Sequence, residues 1–375
     1  MFFDNASTTK VDQEIINSLD EINNKFYFNP GSLYSSGRNT RKYIDECRFE
    51  ILRSLNGNGR IVFTGSATEA NNMALFGVIR KNSKKILVSE GEHPSVYNSA
   101  LELKQRGYDV NFVKLNSSGT VDIDDFKEKM TEDMDLVSIM HVSNETGAIN
   151  NIAELVYIAK DINPNVIFHC DGVQAVGKIP VDLDDLDVDM YTMSAHKIHG
   201  FKGIGALFVK ENIKLKPIIF GGGQEGGIRS GTENIVGIHS LAKAIQCSID
   251  NLNNNYSKIQ NLKNEFISQL DKTGLSYSLH SDDSCSPYII SISFEKCRAE
   301  TILNMMSDKG ICIGNGSACS SKKTGNRILE SMGVKRDEIE GNLRISFSKY
   351  NTIDEVNLLV EKLSQCVKDY LIKAR

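Results

Sequence analysis

The sequence predicts an α/β fold in two parts, a large domain built on a mostly parallel sheet and a smaller α+β domain. One observation is that short strand-like runs alternate with helical segments along the first part of the chain. Another is that this pattern changes after Asn251, where a long helix is followed by strands and helices in a different order. We therefore expect a large domain at 13–251 and a small domain made from 1–12 and 252–375.

The spacing of apolar residues predicts the elements in chain order. A polar arm precedes a helix whose apolar positions start at Ile15, and a second helix ends near Gly59. The strand 61–64 leads through a turn into a helix that we expect to begin at Ala70. The other expected strands of the large domain are 86–89, 110–113, 136–140, 166–169, 188–191 and 206–209. For the small domain we expect strands at 288–294, near 311 and at 342–347, with helices from 299 and around 356–363.

Composition excludes several classes of protein. The chain has 375 residues, of which 40% are hydrophobic and 24% charged, so it can bury a large core. A formal net charge of -5 without a long basic run argues against a nucleic-acid surface, and no apolar run is long enough to span a membrane. The first residues lack a secretory signal, so we expect a cytoplasmic protein. The eight cysteines include no C-x-x-C pair, which predicts neither a disulfide framework nor a stable metal site.

Unusual residues follow four of the expected strands, where ligands gather in parallel sheets. His93, Asn144 and Asp171 each follow a strand, and Lys197 lies in a short turn with neighbouring histidine and glycine. Each has a plain structural alternative: His93 as a core histidine, Asn144 as a turn former, Asp171 as a helix N-cap and Lys197 as a solvated surface residue. Together, however, they match the demands of one cofactor.

That cofactor is pyridoxal phosphate, an aldehyde that forms an imine with a lysine amine. Lys197 supplies the amine, Asp171 supplies a carboxylate for the pyridinium nitrogen, and His93 supplies a flat partner for the ring. Asn144 and Gln174 can donate to the phenolate oxygen. The phosphate needs donors at a helix start or in a glycine-rich loop, and the candidates are Ala67, Thr68, Ser194, His196 and Thr232.

Two further residues suit a substrate. Arg344 lies on the expected strand 342–347, and its guanidinium fits a carboxylate, although a surface salt bridge is the alternative. Cys319 lies in the middle of a polar loop at about 314–325 near two lysines, which favours a thiolate nucleophile over an incidental surface cysteine.

These motifs, in their order along nearly the whole chain, resemble the cysteine desulfurases of the class V aminotransferase superfamily. The Gly-Ser-Ala-Cys form at 316–319 and the long loop around it are similar to the NifS and IscS group. The matching motifs are Asp4-Asn-Ala-Ser-Thr-Thr, Asn29-Pro-Gly-Ser, Thr68-Glu-Ala-Asn-Asn, Gly91-Glu-His, Asn144-Glu, Asp171-Gly-Val-Gln, Ser194-Ala-His-Lys, Arg229-Ser-Gly-Thr and Gly316-Ser-Ala-Cys.

The resemblance implies fold type I, with a seven-stranded sheet, and a reaction that removes sulfur from L-cysteine. Lys197 would hold pyridoxal 5'-phosphate as a Schiff base and move the Cα proton, and His93 would handle the thiol proton. Arg344 and Asn144 would hold the substrate carboxylate. Cys319 would take the sulfur as a persulfide, leaving L-alanine, and the mobile loop would carry it to a protein acceptor. Thr232 would reach the phosphate of the other subunit in a homodimer.

Some positions depart from the family pattern, and they leave the acceptor open. His199 and Phe201 stand where tyrosine and proline are usual, and Gly226 stands where arginine is usual. The segment after Cys319 is one residue shorter than usual, and we expect that the long tail that housekeeping members use toward a scaffold is absent after Arg344. The acceptor could be an iron–sulfur scaffold or a tRNA-thiolating enzyme, and Cys319 could be a transient iron–sulfur ligand.

Two other functions remain open from the residues. A selenocysteine lyase or an aminotransferase would keep the cofactor, but transamination needs no cysteine nucleophile, so replacement of Cys319 distinguishes it from a desulfurase. A catalytically inactive sulfur-relay or scaffold subunit would bind no yellow cofactor and would be indifferent to replacement of Lys197.

Overall fold

The computed structural model describes residues 1–78, 84–315 and 326–373. Its strands are β1 Phe2–Phe3, β2 Arg60–Thr64, β3 Lys85–Ser89, β4 Asp109–Val113, β5 Met134–Ser138, β6 Ile167–Asp171, β7 Met190–Ser194, β8 Gly205–Val209, β9 Tyr277–Leu279, β10 Ile289–Phe294, β11 Cys312–Asn315 and β12 Asn342–Ser346. Its α-helices are α1 Gln13–Lys25, α2 Ser35–Ser54, α3 Ala67–Gly77, α4 Pro94–Gln105, α5 Ile123–Lys129, α6 Ile152–Ile162, α7 Leu183–Leu186, α8 Ile235–Asp250, α9 Leu252–Asp271, α10 Ala299–Asp308, α11 Arg327–Ser331, α12 Arg336–Glu340 and α13 Ile353–Lys373.

The larger sheet has seven strands in the order β2-β8-β7-β6-β5-β3-β4. The strands β3 to β7 are parallel to their sheet neighbours within that group, and β8 is antiparallel to both β2 and β7. The prediction of an α/β fold with a mostly parallel seven-stranded sheet is therefore confirmed. Because β5, β6 and β7 run side by side in one direction, the loops that follow them meet at one edge of the sheet.

A second, five-stranded sheet has the order β1-β11-β12-β10-β9. The first residues of the chain complete it, because β1 pairs in parallel with β11 and Asp4 forms a bridge with Ser346. This pairing brings the N-terminal arm to the end of β12, close to the loops of the larger sheet. The boundaries proposed for the two domains remain a prediction.

Apolar cores lie on both faces of the larger sheet and against the smaller one. One core packs α1, α2 and α8 against the larger sheet, and another packs α3 and α4 against its other face. A further core joins α9, α10 and α13 to the five-stranded sheet, with Phe3 from the first strand buried in it. Within the described residues, no helix is long and apolar enough to cross a membrane.

The start of α3 differs from the sequence expectation. We expected this helix at Ala70, but it begins at Ala67. The hydroxyl of Ser66 accepts a hydrogen bond from the backbone N–H of Glu69 at 3.2 Å, and the Glu69 carboxylate accepts one from the N–H of Gly65 at 2.8 Å. This reciprocal capping stabilises an earlier helix start. It places Ala67 and Thr68 in the first turn of α3, where free N–H groups favour an anion.

Candidate active site

A cleft lies between the two sheets, at the edge where β5, β6 and β7 end. Its volume is about 560 Å³. The N-terminal arm and β12 close it from the side of the smaller sheet. Of the residues predicted from the sequence, those that line the cleft are Ala67, Thr68, His93, Asn144, Asp171, Gln174, His196, Lys197 and Arg344.

Lys197 enters this cleft from a short 3₁₀ turn, Ala195–Lys197, that directly follows β7. Its Nζ donates to the carbonyl oxygens of Ala6 and Ser7, both at 2.7 Å. Burial, assisted by the positive charge of Arg344, lowers the pKa of this amine to about 8. A larger fraction of Lys197 is therefore neutral near physiological pH than for an ordinary lysine, and a neutral amine is the nucleophile that forms an imine.

Asp171 is the last residue of β6 and is 4% exposed. Its Oδ2 accepts a hydrogen bond from Nδ2 of Asn71 at 2.7 Å, and its Oδ1 accepts one from the backbone N–H of Val173 at 3.1 Å. The next residue must be glycine, because a Cβ on Gly172 would lie 1.9 Å from a ring carbon of Tyr191. The carboxylate is thus held in one orientation by a close-packed turn.

His93 caps the N-terminus of α4. Its Nδ1 accepts from the backbone N–H of Ser95 at 3.1 Å and lies 2.8 Å from the Ser95 hydroxyl. Burial is the largest influence on this imidazole and lowers its pKa. His93 is therefore a neutral, oriented ring on the wall of the cleft.

Gln174 and Asn144 each present an amide to the cleft. The Gln174 Nε2 donates to the carbonyl of Ala6 at 2.9 Å, and its Oε1 accepts from Nζ of Lys178 at 2.5 Å. Asn144 Nδ2 donates to Glu145 at 2.8 Å, whereas its buried Oδ1 has no hydrogen-bond partner among the described residues. A buried acceptor of this kind lacks a donor that a bound molecule could provide.

The N-terminus of α3 forms the end of the cleft suited to an anion. Ser66, Ala67 and Thr68 line it, and His196 lies nearby with its Nδ1 3.2 Å from the Thr8 hydroxyl. Glycine is required at 205 in β8, because a Cβ there would lie 2.7 Å from the backbone nitrogen of Ala67. The antiparallel strand β8 therefore packs directly against the first turn of the helix.

Arg344 reaches the opposite side of the cleft from β12 and is 8% exposed. Its Nη1 donates to the carbonyl of Asn144 at 2.9 Å and lies 3.4 Å from Glu145 Oε1, and its Nη2 donates to Asp4 at 3.0 Å. Its buried Nε has no hydrogen-bond partner among the described residues. An anchored guanidinium with an unused donor suits a carboxylate ligand.

Two of the predicted residues that the structure describes do not line this cleft, and a third lies outside the described residues. Ser194 is buried at the end of β7 and does not line the cleft. Thr232 is exposed and also lies outside the lining. Cys319 falls within 316–325, outside the described residues.

Sequence reasoning missed the residues that hold the predicted ones in place. Asp4, Asn71, Glu145 and Lys178 contact Arg344, Asp171 or Gln174. Three of these residues stand inside motifs that we had singled out, at 4–9, 68–72 and 144–145, but nothing in a linear motif says which side chain it will meet. Lys178 lies four residues after Gln174, but the segment between them is a turn with Gly177 at a φ of 69° and not a helix, so helical spacing does not account for their contact.

The lining residues fit pyridoxal phosphate. The cleft combines an amine of lowered pKa, a fixed carboxylate, a neutral imidazole and a helix N-terminus, and it holds the unpaired amide oxygen of Asn144. An amine and a carboxylate in one cleft with an anion site at its end are the features that a pyridoxal-phosphate-dependent enzyme needs.

The chain belongs to the class-V aminotransferase family, which matches residues 1–359. It is similar to cysteine desulfurase IscS 1 of Archaeoglobus fulgidus, with 37% identity over 367 residues that cover 96% of this chain and 95% of that protein. A solved NifS-like protein has a TM-score of 0.92 and 32% identity, covering 98% of this chain and 99% of its own. A solved structure of SspA in complex with cysteine has a TM-score of 0.82 and 28% identity, covering 94% of this chain and 99% of its own. The resemblance to cysteine desulfurases is therefore confirmed.

Proposed function

We propose that this chain is a cysteine desulfurase, a pyridoxal-phosphate-dependent sulfurtransferase that converts L-cysteine to L-alanine. The observation that carries the proposal is the shared cleft of Lys197 and Asp171, with Arg344 on the opposite side. The names of the similar proteins and the cysteine bound to SspA support it. When bound, the cofactor supplies an electron-withdrawing ring that stores the electrons of the bonds being broken.

Lys197 would carry the cofactor covalently between turnovers. Its lowered pKa suits it to act both as a nucleophile and as a carrier of the proton at the substrate Cα. Asp171 would hold a proton at the ring nitrogen, because its carboxylate is fixed by Asn71 and the N–H of Val173. His93 would face the ring of the cofactor, and Gln174 would donate to its phenolate oxygen. Ala67, Thr68 and His196, which line the cleft, would surround the phosphate. Ser194, which does not line the cleft, stays a predicted donor to the phosphate.

Arg344 would bind the substrate carboxylate with the help of Asn144. The guanidinium is already oriented by Asp4 and Asn144, so little rotational freedom is lost on binding. Holding the carboxylate fixes the direction of the substrate side chain, and hence which bond is activated. His93 would then handle a proton of the substrate thiol.

Cys319 would take the sulfur. The Cβ–S bond of cysteine breaks while an S–S bond forms with the Cys319 sulfur. The substrate carbon is reduced, since Cβ gains a hydrogen to become the methyl group of alanine, and the Cys319 sulfur is oxidised to a persulfide. One thiol and one cysteine thus yield one persulfide and one alanine, without an external oxidant.

Assembly and destination form part of the same proposal. We propose a cytoplasmic homodimer in which the exposed Thr232 reaches the phosphate bound by the partner subunit. The sulfur would pass to a protein acceptor, an iron–sulfur scaffold or a tRNA-thiolating enzyme, and iron–sulfur cluster assembly is supported by the IscS name of the similar protein.

The test is to incubate purified protein with pyridoxal phosphate and L-cysteine, quantify alanine and map the added sulfur by mass spectrometry. We expect one extra sulfur atom on Cys319, loss of alanine formation in Lys197→Ala, and loss of the persulfide in Cys319→Ser. Cys247→Ser is the matched control, because Cys247 is a half-buried cysteine of α8 that does not line the cleft. Undiminished alanine and persulfide formation by Cys319→Ser would contradict the proposed sulfur acceptor.

A further inference from the structure

Asn71 contacts two different parts of the site at once. This residue of α3 is fully buried, and its Nδ2 donates to Asp171 Oδ2 at 2.7 Å and to the Ser95 hydroxyl at 2.8 Å. Ser95 in turn contacts His93 Nδ1 through both its hydroxyl and its backbone N–H. One amide therefore joins the carboxylate proposed for the ring nitrogen to the imidazole proposed to face the ring.

The direction of each of these hydrogen bonds follows from groups that can only donate or only accept. A carboxylate can only accept, so the NH₂ end of Asn71 faces Asp171. The N–H of Ser95 can only donate, so His93 Nδ1 carries a lone pair. Because the Ser95 hydroxyl already accepts from Asn71, its own hydrogen is free to point at the same lone pair. A neutral His93 therefore carries its proton on Nε2, which makes no hydrogen bond to any residue of the described part of the chain.

We propose that Asn71 is a positioning residue, which through Ser95 presents His93 to the cleft as a hydrogen-bond donor at Nε2 and which simultaneously orients Asp171. This inference rests on the proposed function for its catalytic meaning. In the resting site His93 then donates a hydrogen bond toward the substrate from Nε2.

A purely structural role does not account for this arrangement. Both amide hydrogens of Asn71 are used on groups that line the cleft, whereas its buried Oδ1 has no hydrogen-bond partner among the described residues. An amide kept only for stability would be expected to satisfy its acceptor as well. The neighbouring Asn72 shows the contrast, because it contacts Thr68 and Ser99 within its own surroundings and does not line the cleft.

The first test measures the titration of His93 by NMR in histidine-labelled apoprotein, with His93→Gln used to assign its signals. Ser95→Ala removes the hydroxyl that contacts Nδ1, and Asn71→Ala removes the donor that keeps this hydroxyl pointing its hydrogen at Nδ1. Each variant should therefore raise the pKa of His93 by roughly one unit, although the backbone N–H of Ser95 still donates to Nδ1 in both. Asn72→Ala is the matched control and should leave the titration unchanged. The charges that act on His93, those of Asp171, Lys197, Arg327 and Arg344, are the same in all these variants.

The second test separates the effect of Asn71 on Asp171 from its effect on His93. It uses protein loaded with pyridoxal phosphate but without L-cysteine. Asn71→Ala should raise the pH midpoint of the visible absorbance of the cofactor, because the Asp171 carboxylate loses a hydrogen bond and offsets more of the positive charge of the ring. Ser95→Ala should leave this midpoint unchanged, since Asn71 still contacts Asp171. In turnover assays, Asn71→Ala should lower kcat by up to about 100-fold through misplaced groups.

The proposal would be overturned if the pKa of His93 were the same in Asn71→Ala, Ser95→Ala and Asn72→Ala. It would also be overturned if the pH midpoint of the cofactor absorbance did not move in Asn71→Ala. If Asn71→Ala does not fold, the titration of His93 in Ser95→Ala decides whether the contact with Ser95 keeps this ring neutral. Neither titration uses L-cysteine, so a failure of the proposed desulfurase reaction would leave both results interpretable. Conversely, the protein could form alanine and persulfide while neither titration shifts in the variants. That result would leave the desulfurase function in place and refute the proposed role of Asn71.

Discussion

Nη2 of Arg344 donates to Oδ1 of Asp4 at 3.0 Å, although 340 residues separate them in the chain. The contact depends on the smaller sheet, in which the arm after β1 bridges to Ser346 at the end of β12. Glu145, from the loop after β5, lies 3.4 Å from the other guanidinium nitrogen. The proposed carboxylate anchor is therefore assembled from the N-terminal arm, the larger sheet and the smaller sheet together.

Replacing Arg344 by lysine should weaken binding of L-cysteine more than it slows the reaction. A lysine keeps the charge but cannot contact Asp4, Asn144 and a substrate carboxylate with one planar group. Loss of a charge-assisted hydrogen bond predicts a rise in KM of about 10-fold to 100-fold with a smaller change in kcat. Steady-state alanine formation at varied L-cysteine concentration measures both constants.

Arg336→Lys is the control for this change. Arg336 lies on α12 with 90% of its side chain exposed and forms an ion pair with Glu340 at 3.7 Å. It should leave KM and kcat unchanged. A normal KM in Arg344→Lys would remove Arg344 from the proposed substrate site.

The sequence predicted those parts of the fold and site that are encoded locally. Strand-like runs followed by polar loops predicted the sheet and placed His93, Asp171 and Lys197 at its edge, where the structure has them. The start of α3 was predicted wrongly, since the reciprocal capping of Ser66 and Glu69 outweighs the small-residue turn that we expected there.

The parts that could not be predicted depend on contacts between distant segments. Asp4 meets Arg344 because of the pairing of β1 with β11. Asn71 meets Asp171 because α3 packs against β7, the strand next to β6 in the sheet. Linear motifs contain these residues without specifying their partners. The lowered pKa of Lys178 likewise results from burial, which a polar residue type does not reveal.

The lowered pKa of Lys197 predicts how cofactor loading depends on pH. With a pKa of about 8, the neutral amine becomes tenfold more abundant for each pH unit gained at low pH and reaches a plateau above this value. The rate at which apoprotein takes up pyridoxal phosphate should therefore rise and then level off near pH 8. Stopped-flow absorbance measures the rate, and borohydride reduction followed by peptide mapping verifies attachment to Lys197.

The reaction of pyridoxal phosphate with N-acetyl-lysine, measured in parallel, corrects for titration of the aldehyde itself. An ordinary lysine amine has a pKa of about 10.4, so its rate keeps rising through pH 9. The same continued rise in the protein would mean that Lys197 is not a buried amine of lowered pKa.

Lys178 should make the stability of the apoprotein depend on pH. Burial, with the charges of Lys197 and Arg344, lowers the pKa of Lys178 to about 7, below its ordinary value. Between about pH 7 and pH 10 the unfolded chain thus binds more protons at this residue than the folded one, and stability rises with pH by at most about 1.4 kcal/mol per unit. Lys178→Met removes this contribution. The variant should therefore become more stable relative to wild type as pH falls from 10 to 7.

Urea unfolding of both apoproteins across this pH range measures the difference, and the comparison cancels the similar contribution of Lys197. Lys214→Met is the control, because Lys214 is exposed and its loss should leave the pH dependence of wild type in place. The absolute stability of Lys178→Met also reflects the lost hydrogen bond to Gln174, so the slope with pH is the decisive quantity. Parallel curves for wild type and Lys178→Met would show that the buried amine does not titrate in this range, and that Gln174 is held by a permanently charged lysine.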